Sequence, residues 1–288
     1  MNAKVAQLEL FKGTSLRDIP SFRDDIDIMS LPFFGVAKTP RFEPIEHEFE
    51  QRGRRTYIRV SAGEDGIATV WDNDILMYLR TLLIDAMNRG EPISNRIRFV
   101  VHDYLRATGK AVGGSDYEAF LASLKRLKTT TIYTNITVED TIEDQGFGWV
   151  QQYKFIRRRA ASGHSDVMAA CEVVLSDWLF SAITAGGRSL SIDPVYFSIT
   201  GGVERKLFMI ARRHVGAQNV PWTISLEKLY ARVGAQMPLR RFKFELGKLI
   251  ERGGLPNFDM EMVNELHLVD GKSRKRRDVK VVFRNKRS

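Results

Sequence analysis

Residues 238–252 read PLRRFKFELGKLIER, and this stretch decides the fold. Its apolar and basic residues separate onto opposite sides when they are placed at 100° per residue, as on an amphipathic helix. Pro238 suits the first turn, where its missing N–H leaves no helical hydrogen bond unmade. The apolar face comprises Leu239, Phe242, Leu246, Leu249 and Ile250, and the opposite face carries Arg240, Arg241, Phe244, Lys248, Glu251 and Arg252. We therefore expect a helix that is buried on one side and basic on the other.

The segments around this helix predict the rest of a small α+β unit. The predicted elements are a helix over 203–215, a strand at 222–224, a helix that Ser225 caps and Gly234 ends, and two strands at 257–263 and 279–283 after the basic helix. Their order is that of a winged helix-turn-helix unit, in which the helix after the turn lies in the major groove of DNA.

The same order is predicted earlier in the chain. The elements there are helices over 72–89, 102–107 and 115–128, a strand at 97–99, and strands at 129–138 and 147–156 on either side of a loop at 139–146. The fold class is therefore predicted as α+β, with two tandem winged helix-turn-helix domains. We expect a mobile N-terminal tail at 1–30, a first domain at 31–186 and a second at 187–288, with the boundary at the glycine pair 186–187.

The net charge of the 288 residues is +9, and the whole excess lies in the last third of the chain. Residues 1–200 carry 24 basic and 26 acidic residues, whereas residues 201–288 carry 20 basic and 9 acidic residues. A basic block on an otherwise balanced protein is typical of a polyanion site, although it can also be a solvated surface that only aids solubility. Five of the six residues at 272–277 are basic, and their place beside a basic helix favours DNA.

We therefore predict that the second domain binds DNA through its third helix and its wing. Arginine can donate two hydrogen bonds to guanine O6 and N7, and a basic wing can contact phosphates. The predicted contacts are Arg240, Arg241, Lys243, Phe244, Lys248 and Arg252 on the helix and Lys272, Arg274, Lys275, Arg276 and Arg277 on the wing. Phe244 can contact a thymine methyl group or pack on a neighbouring element, and we expect the second. Gly247 allows close approach to DNA or tight helix packing.

The first domain has a different charge pattern. Its predicted wing carries four acids, Glu139, Asp140, Glu143 and Asp144, and no base in 139–144, so phosphate should repel it. Its third helix turns small residues outward. We expect a domain for dimerisation or protein contacts that makes at most secondary contacts with DNA. The candidates for such contacts are Lys125 and Arg126 on the helix and a separate basic run, Arg157, Arg158 and Arg159, which could equally be a solvated loop.

The sequence predicts no enzyme. Cys171 is the single cysteine, which excludes an intrachain disulfide and fits a reducing cytoplasm. The five histidines form no His-hydrophobe-His pair, and neither a phosphate-binding loop nor a nucleophile elbow is present. Asp72 and Asp74 are explained as a helix cap and first-turn charge, and His214 as a core residue. No stretch is apolar enough to span a membrane. We expect no catalytic, metal-binding or cofactor-binding residue, and a cytoplasmic protein.

Short motifs in a fixed order extend the interpretation. They are LPFF at 31–34, KTPR at 38–41, VWDNDIL at 70–76, GGSDY at 113–117, LKRL at 124–127, LSDW at 175–178, DPVYF at 193–197, GVER at 202–205 and ARRH at 211–214. In these motifs the chain resembles the plasmid replication initiator protein A family, over about residues 31–260. The basic wing lies beyond them, so its role depends on charge and position alone.

The resemblance implies a specific activity without catalysis. Similar initiators bind directly repeated sites at a plasmid origin as monomers, help to open the adjacent AT-rich DNA, and recruit the host initiator and replicative helicase. Related tandem winged-helix initiators dimerise through the first unit, and the dimer often represses its own gene. The partners expected from the resemblance are therefore double-stranded DNA, those host proteins and a second copy of the chain. Two alternatives stay open, which are a transcriptional repressor of the same fold and a DNA-nicking enzyme.

Overall fold

The computed structural model of the protein describes residues 21–51, 53–136, 143–159, 166–186, 188–216, 220–269 and 274–286, and its fold is mixed α/β. The helices are α1 (Ile26–Ser30), α2 (Asn73–Asn88), α3 (Val101–Ala107), α4 (Gly114–Thr129), α5 (Asp177–Thr184), α6 (Gly202–His214), α7 (Leu226–Val233) and α8 (Leu239–Glu251). The strands are β1 (Phe22–Asp25), β2 (Ile45–Gln51), β3 (Arg54–Ser61), β4 (Arg96–Phe99), β5 (Thr131–Thr134), β6 (Gln145–Gly148), β7 (Val150–Arg159), β8 (Asp166–Leu175), β9 (Ser189–Ile192), β10 (Trp222–Ser225), β11 (Phe258–Val269) and β12 (Arg274–Asn285).

Two parts of the chain repeat one order of elements and one strand arrangement. In the first unit (residues 73–175), α2, β4, α3 and α4 come before the hairpin β7–β8, and the strands lie in the order β4-β8-β7. In the second unit (residues 202–285), α6, β10, α7 and α8 come before the hairpin β11–β12, in the order β10-β12-β11. In both sheets the short strand pairs antiparallel with the last strand of the hairpin.

Local signals fix the helices of the second unit, and the predictions for them are confirmed. The Ser225 hydroxyl accepts the backbone N–H of Lys228 at 3.3 Å at the start of α7. Gly234 ends that helix in the left-handed conformation, with φ +65°, and Pro238 lies at the N-cap of α8. The hairpin strands are longer than predicted, at 12 residues each.

The predicted hairpin of the first unit is wrong. Strands β5 and β6 do pair, but they belong to a separate four-stranded sheet in the order β2-β3-β5-β6. The chain leaves this sheet at Trp149, which is fully buried, stacks on Phe34 at 4.9 Å between ring centroids, and donates its backbone N–H to the carbonyl of Leu127. The next ten residues form β7, whose partner is β8. The hairpin that corresponds to β11–β12 is therefore β7–β8.

The described end of the acidic loop, Glu143 and Asp144, comes directly before β6, so its expected repulsion of phosphate concerns the β5–β6 hairpin and not β7–β8. Glu139 and Asp140 are outside the described residues. Asp144 accepts a hydrogen bond from the Tyr57 hydroxyl at 2.9 Å, which holds the start of β6 near β3.

Residues 21–30 are not part of a tail, which corrects the last third of the predicted mobile segment. Strand β1 pairs antiparallel with β9, and Asp25 caps α1 by accepting the N–H of Asp27 at 2.8 Å. Asp24 is fully buried in an ion pair with Arg80 of α2, and it also accepts from Asn73 at 2.9 Å. Phe22, Ile28 and Met29 of this segment are buried in the hydrophobic core, and the buried acids add polar contacts to that packing. The domain boundary at 186–187 stays a prediction.

Helix α6 of the second unit packs directly on the first part of the chain. A Cβ at Gly202 would lie 2.0 Å from the carbonyl oxygen of Val36, so only glycine allows this contact. Arg205 donates to Asp74 of α2 at 2.8 Å. The buried Lys206 amine donates to the carbonyls of Ile28 at 2.8 Å and of Leu31 at 2.6 Å. The two units are thus joined by hydrogen bonds between buried groups.

The stability of this junction should depend on pH through Lys206. Burial lowers the pKa of Lys206 to about 7, whereas an unfolded lysine keeps its proton up to a pKa of about 10.4. Between these values the unfolded state binds more protons, so a rise in pH stabilises the folded state. We expect the free energy of unfolding of the wild type, relative to Lys206→Met, to rise between pH 7 and 9 by at most about 1.4 kcal/mol per pH unit.

Urea unfolding at several pH values measures this difference. Lys228→Met is the matched control because Lys228 is exposed on α7, and it should follow the pH dependence of the wild type. Parallel curves for the wild type and Lys206→Met would contradict the assignment.

Candidate nucleic-acid interface

Helix α8 has the two faces that the sequence predicts. Phe242, Leu246 and Leu249 are buried against the rest of the second unit. The outward face carries exposed charged side chains, which are Arg240, Arg241, Lys243, Lys248, Glu251 and Arg252. With no acid in its first turn, the N-terminal half of the helix presents positive charge to the solvent.

Phe244 lies in the middle of this charged face and is 59% exposed. The expectation that it packs on a neighbouring element is therefore wrong. The Lys248 ammonium lies 4.3 Å from its ring centroid, because residues four apart are neighbours on a helix. Gly247 faces strand β11, where an added Cβ would meet the Met262 methyl group at 3.4 Å. That distance is an ordinary van der Waals contact, so the packing at Gly247 leaves room for a small side chain.

Arg252 is turned away from the first turns of α8. Its guanidinium donates to Glu204 of α6 at 3.2 Å and to the Lys248 carbonyl at 3.3 Å. The two side chains of the ion pair are partly or largely exposed, so it contributes little to stability. Arg252 lies at the far end of the helix from Arg240, and it is the least favourably placed of the predicted contacts on α8.

Part of the basic run that the sequence predicts as a wing lies in the long two-stranded ribbon β11–β12. Arg274, Lys275, Arg276 and Arg277 lie in β12, paired in register with residues 266–269 of β11. The charge of this run suggests a loop, but a backbone ladder needs no apolar side chains to form. Lys272 lies outside the described residues. The basic run thus continues along one arm of the hairpin.

The first unit carries basic residues at the equivalent end of its hairpin. Arg157, Arg158 and Arg159 are the last residues of β7, in register with Met168, Val167 and Asp166. The sequence alone shows a separate basic run with no assigned element. The structure places these arginines on one arm of the hairpin that corresponds to the basic ribbon of the second unit.

Arg126 is not an outward-facing residue of α4, which corrects its predicted placement and makes it a poor candidate for contact with DNA. Its guanidinium donates to both carboxylate oxygens of Asp72, at 2.8 and 2.7 Å, and is only 16% exposed. Asp72 also accepts the backbone N–H of Thr69 at 2.7 Å. Lys125 is exposed and lies 3.5 Å from Asp65. The exposed basic residues of α4 are therefore Lys125 and Lys128, whose ammonium donates to the Gln151 carbonyl at 2.6 Å, and small residues such as Ala119 are exposed on the same helix.

Asp72 and Asp74 are buried ion-pair acceptors: Asp74 carries its charge in the first turn of α2, as expected, whereas Asp72 is at the N-cap position without capping the helix. The side chain of Asp72 makes no capping hydrogen bond to α2. Asp74 accepts from Arg205 and from the Lys110 ammonium at 3.0 Å. The two acids thus hold other elements against the start of α2.

His214 is partly buried, as expected for a core residue. Its ring stacks on Trp222 at 4.1 Å, and Arg232 Nη1 lies 2.7 Å from its Nε2. Burial lowers the pKa of His214 to about 4, and the guanidiniums of Arg232 and Arg213 add to the effect. The neutral ring can accept the hydrogen bond of Arg232.

The described residues offer neither a metal cluster nor a membrane span. No group of three or more His, Cys, Asp or Glu residues in this part of the chain is close enough to hold a metal ion. No helix among the same residues is both long and apolar enough to cross a membrane.

Comparisons with known proteins agree with the mixed α/β arrangement. The chain is similar to domains 2 and 3 of RctB in two crystal structures. One has a TM-score of 0.58 and 16% identity and covers 90% of this chain and 98% of that one. The other has a TM-score of 0.53 and 14% identity and covers 90% and 96%. At such low identity this likeness concerns the fold alone.

Sequence comparison is more specific. A relative named "Putative replication protein" from Wigglesworthia glossinidia brevipalpis is 30% identical over 245 residues, which are 84% of this chain and 85% of the relative. The family model described as replication initiator protein A matches residues 23–260. The chain belongs to the replication initiator protein A family.

Proposed function

We propose that the protein initiates replication by binding repeated double-stranded DNA sites at an origin, through two winged helix-turn-helix units. The observation that carries the proposal is the outward face of α8, with exposed Arg240, Arg241 and Lys248 in the same unit as the basic arm of the β11–β12 hairpin. In a winged helix-turn-helix unit this helix enters the major groove, and the wing lies against the backbone.

In this proposal the two units make different kinds of contact with DNA. Helix α8 supplies side chains that can pair with base edges, and each good bidentate pair discriminates by about 1–3 kcal/mol. In the first unit, Arg126 is held by Asp72, so the basic hairpin arm at Arg157–Arg159 is the stronger candidate for contact with DNA. Such contacts go to phosphates, which add affinity and register without reading sequence. The first unit is thus a second DNA-binding element, as well as the expected site of dimerisation.

The activity proposed is not catalytic. Opening of the adjacent DNA and recruitment of the host initiator and helicase follow from the family alone, as does an equilibrium between monomer and dimer. A repressor of its own gene is the second candidate, because the same two units would read an operator. A metal-dependent nick in a supercoiled origin plasmid, made by the pure protein, would replace both by an enzyme.

Footprinting on the DNA that flanks the gene tests the proposal. At about 150 mM salt non-specific binding is weak, and we expect protection that repeats over several direct repeats. Protection of a single inverted repeat over the promoter would support the repressor instead. The absence of any protected site would contradict both functions.

Arg240 and Arg126 should respond in opposite ways to replacement by alanine. Arg240→Ala removes an exposed group, so we expect cognate affinity to fall by about 1–3 kcal/mol while the urea midpoint stays unchanged. Arg126→Ala leaves Asp72 buried without its partner, which should cost about 3–5 kcal/mol of stability. Because the Arg126 guanidinium is held inside the protein, the folded variant should keep its cognate affinity.

Urea titrations and binding isotherms on one origin repeat make this comparison. The double variant Asp72→Asn/Arg126→Met removes both charges and keeps the DNA measurement possible if the single variant unfolds. A weaker affinity in this folded double variant would restore Arg126 as a DNA contact.

Both hairpins should appear in the salt dependence of binding. Each neutralised phosphate contributes about 0.9 to the slope of log K against log salt on duplex DNA. Replacing Arg157, Arg158 and Arg159 by alanine should therefore flatten the slope by about 0.9 for every phosphate that these arginines neutralise. Replacing Arg274, Lys275, Arg276 and Arg277 should do the same, and both variants should weaken binding to all sequences alike.

A triple variant on the four-stranded sheet controls for net charge. Arg54, Arg55 and Arg59 are exposed on β3, and their replacement by alanine removes as much charge as the change at 157–159. This control should keep nearly the wild-type slope. If the Arg157–Arg159 variant keeps that slope too, the first hairpin does not touch DNA.

A further inference from the structure

Phe244 is an apolar side chain in a place where only a ligand would cover it. Among the described residues, six large apolar side chains are more than a third exposed, and Phe244 is the one on the basic face of α8. It is four residues after Arg240 and three after Arg241, so the three side chains lie on one helical face. A phenylalanine among arginines is a poor phosphate contact, since it offers no donor and no charge.

The geometry around the ring narrows the choice of partner. Lys248 lies over the ring with its ammonium 4.3 Å from the centroid. This cation–π contact occupies part of the ring and leaves the rest facing outward between charged neighbours. A flat protein partner would have to bury Arg240, Arg241 and Lys248 with it, at the cost of removing three charges from water. The major-groove edges of base pairs, by contrast, offer hydrogen-bond acceptors to the cations and one kind of apolar group to the ring.

We propose that Phe244 reads thymine by contact with its C5-methyl group in the major groove, and that it determines specificity at one base pair of the site. Thymine is the one base that presents a methyl group in that groove. Phe244 is the sixth residue of α8, within the N-terminal half from which recognition helices contact bases. Arg240, Arg241 and Lys248 flank it with donors that suit guanine O6 and N7. The inference rests on the proposed function, and it adds the chemical group that this face recognises.

Replacement of single thymines by deoxyuridine tests the proposal, because the change removes the methyl group and leaves base pairing intact. Each thymine of one footprinted repeat is replaced in turn, and the affinity of the purified full chain is measured. We expect one thymine at which the affinity of the wild type falls about three- to fivefold, which corresponds to burying one methyl group. Phe244→Ala should bind the natural repeat more weakly by a similar factor and should not distinguish thymine from deoxyuridine at that position.

Two further variants keep the result interpretable. Phe244→Leu retains an apolar group and should keep part of the preference for thymine. Phe42→Ala removes another exposed phenylalanine, outside both units, and should show the full wild-type preference.

The outcomes separate this inference from the function on which it depends. If the protein protects no DNA, the proposed function fails first. If it binds its repeats but no deoxyuridine changes the affinity, or if Phe244→Ala keeps the wild-type preference for thymine, the reading of thymine by Phe244 is overturned while DNA binding stands.

Discussion

The packing of the second unit on the first depends on the carboxylate of Asp74. It is fully buried at the start of α2, and it accepts from Arg205 of α6 at 2.8 Å and from Lys110 before α4 at 3.0 Å. A buried carboxylate is costly unless its partners are in place, and removing one partner leaves an uncompensated charge. One side chain therefore joins α2 both to α6 of the second unit and to the turn between α3 and α4 of its own unit. Asp72, two residues earlier, holds α4 itself through Arg126.

The junction between the two units bears on the proposed recognition of DNA. Two units that bind one duplex must present their hairpins and helices at a spacing that matches the grooves. A flexible linker would leave that spacing to be fixed on binding, at an entropic cost. Here the spacing is fixed before binding by hydrogen bonds between buried groups and by the close contact of Gly202 with Val36. The burial of Lys206 within this junction is also the reason to expect that the stability of the junction depends on pH.

The second unit could be predicted closely because its signals are local. Ser225, Gly234 and Pro238 mark helix ends by their own chemistry, and 100° periodicity assigns each residue of α8 to a face. The first hairpin could not be predicted in this way. Alternating β-branched residues indicate a strand but do not identify its partner, and β6 and β7 are separated by Trp149 alone. Pairing of β7 with β8 is a property of the whole sheet, since a strand pattern fits either neighbour equally well.

The candidate site shows the same division between local and long-range information. The outward face of α8 follows from the sequence because solvent exposure repeats with the helix period. The predicted outward placement of Arg126 is wrong because its partner, Asp72, lies 54 residues away, and no period or spacing predicts a buried ion pair over that distance. The pair of Asp24 with Arg80 escapes sequence reasoning for the same reason. The correspondence of Arg157–Arg159 to the basic ribbon becomes visible only when the strand order places these residues opposite β8.

The shared topology of the two units does not make them equivalent readers of sequence. In α8 the outward arginines at the N-terminal end are exposed, and Phe244 adds an exposed apolar side chain that we propose contacts a thymine methyl group. In α4 the equivalent face carries small side chains, and its arginine, Arg126, is held in an ion pair with Asp72. Under the proposed function, base discrimination comes mainly from α8, while the first unit adds phosphate contacts whose strength depends on salt and not on sequence. A site recognised in this way has one segment with strict base preferences, next to a segment whose sequence is nearly free but whose distance is fixed.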